Sequence, residues 1–176
     1  GLVGSEMCIR DSFDGVDDYV DISADTSLNS DHFTVTFWVK IGSTWAWDKI
    51  IDKGRTMQDD WYFLTTNSGS SDSRGIIFGT ETTANEIKYE WGDTGWHHVV
   101  GLNDGSYSRL YVDGVLRGEK KVSHTSSTRK IDIGRTVGSS SSYFDGAIDD
   151  VRIYNYARTA EQVLQDYNQG LSTHFK

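Results

Sequence analysis

Phe33-Thr34-Val35-Thr36-Phe37-Trp38-Val39-Lys40-Ile41 alternates along its whole length. Phe33, Val35, Phe37, Val39 and Ile41 fall on one face, and Thr34, Thr36, Trp38 and Lys40 on the other. A side-chain period of two belongs to a strand with one face on a core; a helix would repeat its apolar positions three and four residues apart. Trp38 stands on the otherwise polar face, so that face is expected to be covered or used as well.

Short runs of the same kind lie on both sides of this segment. They occupy residues 19–22, 49–53, 61–65, 75–79, 86–91, 96–102, 109–112, 115–119, 130–134 and 146–154. Asp113-Gly114 separates Leu110-Tyr111-Val112 from Val115-Leu116-Arg117, a two-residue hairpin signal. Asn103-Asp104-Gly105-Ser106 marks a second turn. The chain has no Pro, where average usage would give roughly nine, so Gly, Asp, Asn and Ser must make the turns. Many short strands with turn residues between them predict an all-β, two-sheet antiparallel sandwich. One short C-terminal helix is expected to close it. Thr159 and Gln162 form a capping box, Ala160, Val163, Leu164 and Tyr167 an apolar stripe, and Gly170 a stop.

Composition narrows the function classes. The 176 residues suit one domain with a real core. A formal charge of −9 argues against nucleic acid as a partner. No apolar run is long enough for membrane insertion. Acidic surface of this kind either holds a hard cation or keeps the domain in solution. Cys8 is the single cysteine, which excludes an intramolecular disulfide. Residues 1–12 show neither strand alternation nor the basic and apolar regions of a signal peptide. Their SEMCIRDS string resembles translated sequencing-adapter sequence. Residues 1–12 are therefore expected to be a non-native or disordered lead-in to a single domain over 13–176, with the native protein continuing upstream.

Several segments, in the right order from Phe13 to the helix, resemble laminin-G-like jelly-roll domains of the concanavalin A-like lectin/glucanase superfamily. Phe13-Asp14-Gly15-Val16-Asp17-Asp18-Tyr19-Val20 is similar to the opening strand, and residues 33–39 to the second marker. Trp96-His97-His98-Val99-Val100 with Leu110-Tyr111-Val112-Asp113-Gly114-Val115 resembles the central hairpin. Ile131-Asp132-Ile133-Gly134 and residues 144–154 resemble the last strands. The resemblance implies a jelly roll, frequent Ca²⁺, and roles from sugar recognition to protein adhesion. Fold alone does not choose among these roles.

Four chemistries compete with a plain structural role for these residues. Asp14, Asp17, Asp18 and Asp21 cluster near the start, and Asp145, Asp149 and Asp150 near the end. Jelly rolls commonly pair their first and last strands, so the clusters are expected to meet. Ile148 and Val151 both look inward, which strict alternation forbids; a β-bulge at Asp149-Asp150 would reconcile them and re-aim a carboxylate. Asp14, Asp17, Asp149 and Asp150 are the expected Ca²⁺ ligands. The plain alternative is turn capping and pairing with Arg152 or Arg158.

Sugar stacking is the second chemistry. Trp45, Trp47, Asp48, Trp61, Arg74 and Tyr143 are the expected ligand-binding set, with Tyr62 and Trp91 as further rings and Asp59 and Asp60 as further polar groups in or near loops. Aromatic faces take the C–H face of a sugar, and charged groups take its hydroxyls. The plain alternative packs each ring over a sheet end. Histidine chemistry is not expected: His97 and His98 point to opposite faces of one strand, and His32, His124 and His174 stand alone. Catalysis is not expected either. No strand carries the E-x-D-x-x-E spacing that would set two carboxylates about 5 Å apart.

Two function classes remain. One is a non-catalytic carbohydrate-binding module of a secreted or surface protein, stabilised by calcium. The other is a structural or adhesive module on a phage, virion or cell surface, contacting a surface protein within a larger multidomain or multimeric assembly.

Overall fold

The computed structural model describes residues 11–42, 48–54, 60–66, 74–137 and 143–174. Twelve strands and one helix follow in chain order: β1 (Asp11–Asp14), β2 (Val20–Ile22), β3 (His32–Ile41), β4 (Lys49–Lys53), β5 (Trp61–Thr65), β6 (Arg74–Thr80), β7 (Thr82–Trp91), β8 (His97–Asp104), β9 (Tyr107–Val112), β10 (Val115–Lys121), β11 (Ile131–Ile133), β12 (Asp145–Tyr154) and α1 (Ala160–His174). Two six-stranded antiparallel sheets result. The first runs β1-β12-β3-β8-β9-β10, the second β2-β11-β4-β5-β6-β7. The expected sandwich with one C-terminal helix is what forms.

Alternation in β3 builds the core. Phe33, Val35, Phe37, Val39 and Ile41 are all buried against the second sheet's Trp61, Phe63, Ile76 and Phe78. Phe37 meets Phe63 edge-on at 5.0 Å, and Phe63 stacks on Phe78 at 4.9 Å. The Asp113-Gly114 turn has φ of 55° and 75°, the positive pair a two-residue hairpin needs.

The structure departs from the sequence reading at both ends of the chain. β1 begins at Asp11, with Asp11 opposite Ile148 and Ser12 opposite Ala147. Two residues of the expected lead-in therefore belong to the first strand. The helix does not stop at Gly170 but runs to His174. A side chain at Gly170 would overlap the Trp38 indole, so this glycine is a packing device rather than a terminator. The stripe also differs, since Leu164 is exposed, while Val163, Gly170 and His174 are buried. The capping box does form: Thr159 N donates to Gln162 Oε1 at 2.9 Å, and Gln162 N to Thr159 Oγ1 at 3.3 Å.

The second face of β3 is covered, as Trp38 implied. Tyr167 stacks on Trp38 at 5.8 Å, and His174 lies parallel to it at 4.2 Å. Helix α1 thus occupies the outer face of the first sheet, leaving ligands the sandwich ends or the second sheet.

Candidate functional site

Strand register gathers the site residues at one end of the sandwich. Asp14 closes β1 and lies opposite Asp145, which opens β12. Gly146 pairs with Ile41 at the end of β3, and Ile133 at the end of β11 pairs with Val20 and Ile51. Arg74 opens β6 opposite Trp91, which closes β7. The connections after β1, β3, β5, β7 and β11 therefore share this end. Gly42 and Asp48, which bracket the segment carrying Trp45 and Trp47, belong to it. Trp45 and Trp47 themselves lie outside the described residues.

The acidic cluster is real and compact. One carboxylate oxygen from each of Asp14, Asp17 and Asp18 lies within 4.8 Å of the others, and all three residues are exposed. Local turn chemistry builds it. Asp14 Oδ1 accepts from Val16 N at 2.8 Å, Asp18 Oδ2 accepts from Asp14 N at 3.1 Å, and Gly15 turns the chain at φ 76°. The first and last strands do pair, but through Asp145. Asp145 packs directly against Gly15 and Gly42. Asp48 sits close enough to feel its charge: burial, then Asp145, pushes the Asp48 carboxyl up to about 6. Hard oxygen donors crowded in this way fit a hard divalent cation.

Asp149 and Asp150 do not join them. The predicted bulge is present, with the β12 register to β3 breaking between Asp149 and Arg152 and Asp150 at φ 52°. It aims the two carboxylates elsewhere. Asp149 Oδ2 lies 3.0 Å from His174 Nε2, and Asp150 Oδ2 accepts from Arg152 Nη2 at 2.7 Å. Both residues fasten the helix side of the first sheet. Contrary to expectation they are not placed with the metal-ligand cluster, because three residues of strand lie between Asp145 and Asp149, and their carboxylates serve His174 and Arg152.

Trp61 is likewise removed from the ligand set. It is 1% exposed on the inner face of β5 and stacks on Phe33 at 5.5 Å. Tyr62 and Trp91 are buried too. Arg74 is partly exposed, and its guanidinium donates to the Ile41 and Gly42 carbonyls at 3.3 Å, tying the sheets together at the site end. Tyr143 is half-buried beside Arg135.

Arg135, absent from the expected site, stands beside it. On the outer face of the second sheet, Asp21, Asp132, Asp52 and Tyr62 line up across four adjacent strands. Arg135 Nε donates to Asp132 Oδ2 at 2.7 Å, Lys130 Nζ to Asp21 Oδ2 at 2.6 Å, and Lys49 Nζ to Asp52 Oδ1 at 3.1 Å. Each acid of the row thus has a cation. The outward Asp between two inward Ile in residues 131–133 was the sequence signal; its partners come from elsewhere in the chain.

The histidines are structural pins. His97 contacts Asp113 at 2.8 Å and Asp93 at 3.1 Å, while His98 contacts Thr36 at 2.7 Å. His124, at the opposite end, lies between Asp60 at 3.2 Å and Glu81 at 2.7 Å.

Fold and site together define a two-sheet lectin-like sandwich with an acidic loop end. The family model for the concanavalin A-like lectin/glucanases superfamily, laminin-G type, matches residues 14–164, and the chain belongs to that family. No curated relative matches it. Among solved structures it is similar to the heptameric SAP-like pentraxin of Limulus polyphemus (17% identity, TM-score 0.65, covering 87% of this chain and 78% of that one). It is similar to domain 4 of an extracellular arabinanase from Geobacillus stearothermophilus, solved with arabinotriose (18% identity, TM-score 0.64, 89% and 75%). It is also similar to the binding domain of botulinum neurotoxin DC solved with SialylT (14% identity, TM-score 0.64), covering 90% of this chain but 41% of that one. At these identities the likeness is one of fold. Among the described residues no helix is long and apolar enough to cross a membrane.

Proposed function

We propose that this domain is a non-catalytic, lectin-like carbohydrate-binding module of a secreted or surface protein, supported by Ca²⁺ at Asp14, Asp17 and Asp18. One observation carries the reading: the acidic cluster, Arg74, Tyr143 and the two residues bracketing the Trp45-Trp47 segment share a single end of the sandwich. Helix α1 occupies the alternative sheet face. A bound Ca²⁺ would supply positive charge and open coordination positions for sugar hydroxyls. The three aspartates would hold it, with Asp145 and Asp48 adding negative potential behind them. The solved arabinanase domain with arabinotriose supports a sugar as the ligand class.

A glycan array in Ca²⁺ and in EDTA tests the proposal. Selective glycan binding that weakens in EDTA is expected; a blank array in Ca²⁺ would overturn the sugar reading. Protein contact is the second reading. It rests on the exposed Val115, Leu116 and Leu164, which lie around the Gly114 turn where Leu164 touches it. A blank array with a concentration-dependent dimer in light scattering would favour that reading.

A further inference from the structure

Tyr19 is 45% exposed in a domain whose rings mostly point inward, and Val16 and Val20 beside it are also exposed. Its ring is nevertheless held. The Arg135 guanidinium carbon lies 3.2 Å from the ring centroid and covers one face. Arg135 cannot easily leave, being bonded to the fully buried Asp132, with Asp21 at 3.8 Å and Tyr143 beside it. The backbone next to Arg135 is fixed as well, as Phe144 N donates to Gly134 O at 2.8 Å and Gly134 N to Ile50 O at 2.9 Å.

We propose that the open face of Tyr19 is a stacking platform for an uncharged sugar ring, backed by Arg135 and bordered by Asp21 and Tyr143. The inference rests on the lectin-like reading and gives that reading a described contact residue. An aromatic ring immobilised before the ligand arrives loses little freedom on binding, which is what makes rigid Tyr a good contact residue. Its apolar face suits sugar C–H groups, and the Asp21 carboxylate beside it suits hydroxyls. The overall charge of −9 disfavours an anionic sugar. Tyr19 lies just after the acidic cluster in the chain, at the same end of the sandwich.

The test titrates the whole domain with arabinotriose, cellotriose and sialyllactose, read by saturation-transfer NMR and calorimetry. Binding of a neutral trisaccharide is expected, with transfer from the Tyr19 ring. Tyr19→Phe should bind within about twofold of wild type and Tyr19→Ala at least about tenfold more weakly, both with an unchanged melting temperature. If Tyr19→Ala misfolds, ring transfer in the folded wild type decides. Undiminished binding by folded Tyr19→Ala overturns the platform and leaves the lectin reading standing. Preference for sialyllactose overturns the assigned sugar class. Binding of no glycan by wild type, on the array or in titration, overturns both.

Discussion

Adjacent residues on one strand can be given opposite electrostatic fates by the sheet's two faces. His98 faces the helix side, and burial pushes its imidazole down to about 4. A histidine depressed in this way favours folding above its unfolded value near 6.5, and that contribution is lost as pH falls toward 4. The loss amounts to roughly 3 kcal/mol. His97 points the other way. Burial pulls it down, but the Asp113 and Asp93 carboxylates outweigh burial and hold it above the usual histidine range. Its contribution is complete below pH of about 6.5 and is lost as pH rises through the folded value. NMR titration of the two ring protons is expected to show His98 titrating near pH of about 4 and His97 above 6.5. The reverse order would contradict the packing described. His98→Gln should flatten the acid limb of the stability–pH curve, at the expense of the Thr36 contact.

At the level of elements, β12 and α1 form one device. The bulge turns Asp149 to His174 while Asp150 takes Arg152, and Arg158 Nη2 reaches Asp166 at 2.8 Å. His174 then lies flat on Trp38 with Trp96 edge-on at 5.1 Å. Gly170 is the tightest point. Gly170→Ala would raise helix propensity by roughly 1 kcal/mol in an open helix. Here the added methyl meets the indole, and overpacking of that kind costs about 1–3 kcal/mol. A lower melting temperature and an altered near-ultraviolet dichroism band from Trp38 are the expected results; a stabilised variant would show that the helix is not seated on Trp38. The alternation of β3 and the Asp-Gly hairpin were legible because each is decided within a few residues. The bulge was legible too, as a conflict between Ile148 and Val151. What it aims at was not, because His174 stands 25 residues away in the chain.

For the molecule as a whole, cation binding should act as a ligand that only the folded state holds, raising stability by mass action. EDTA is expected to lower the melting temperature, and Asp14→Asn or Asp18→Asn to abolish the difference between Ca²⁺ and EDTA. Asp149→Asn should lower the melting temperature in both buffers and leave that difference intact, since its carboxylate serves the helix. An unchanged melting curve in EDTA, with metal verified absent, would falsify the calcium proposal. The sequence by itself determined the sandwich, most of its strands along the chain, the capped C-terminal helix and the acidity of one segment, because periodicity, turn residues and charge act over short stretches. Tertiary structure alone decided that Asp145 rather than Asp149 stands opposite Asp14, that Trp61 is core, and that Arg135 backs Tyr19. Those outcomes depend on register and sheet order, which bring together side chains separated by tens to more than a hundred residues and which no local pattern encodes.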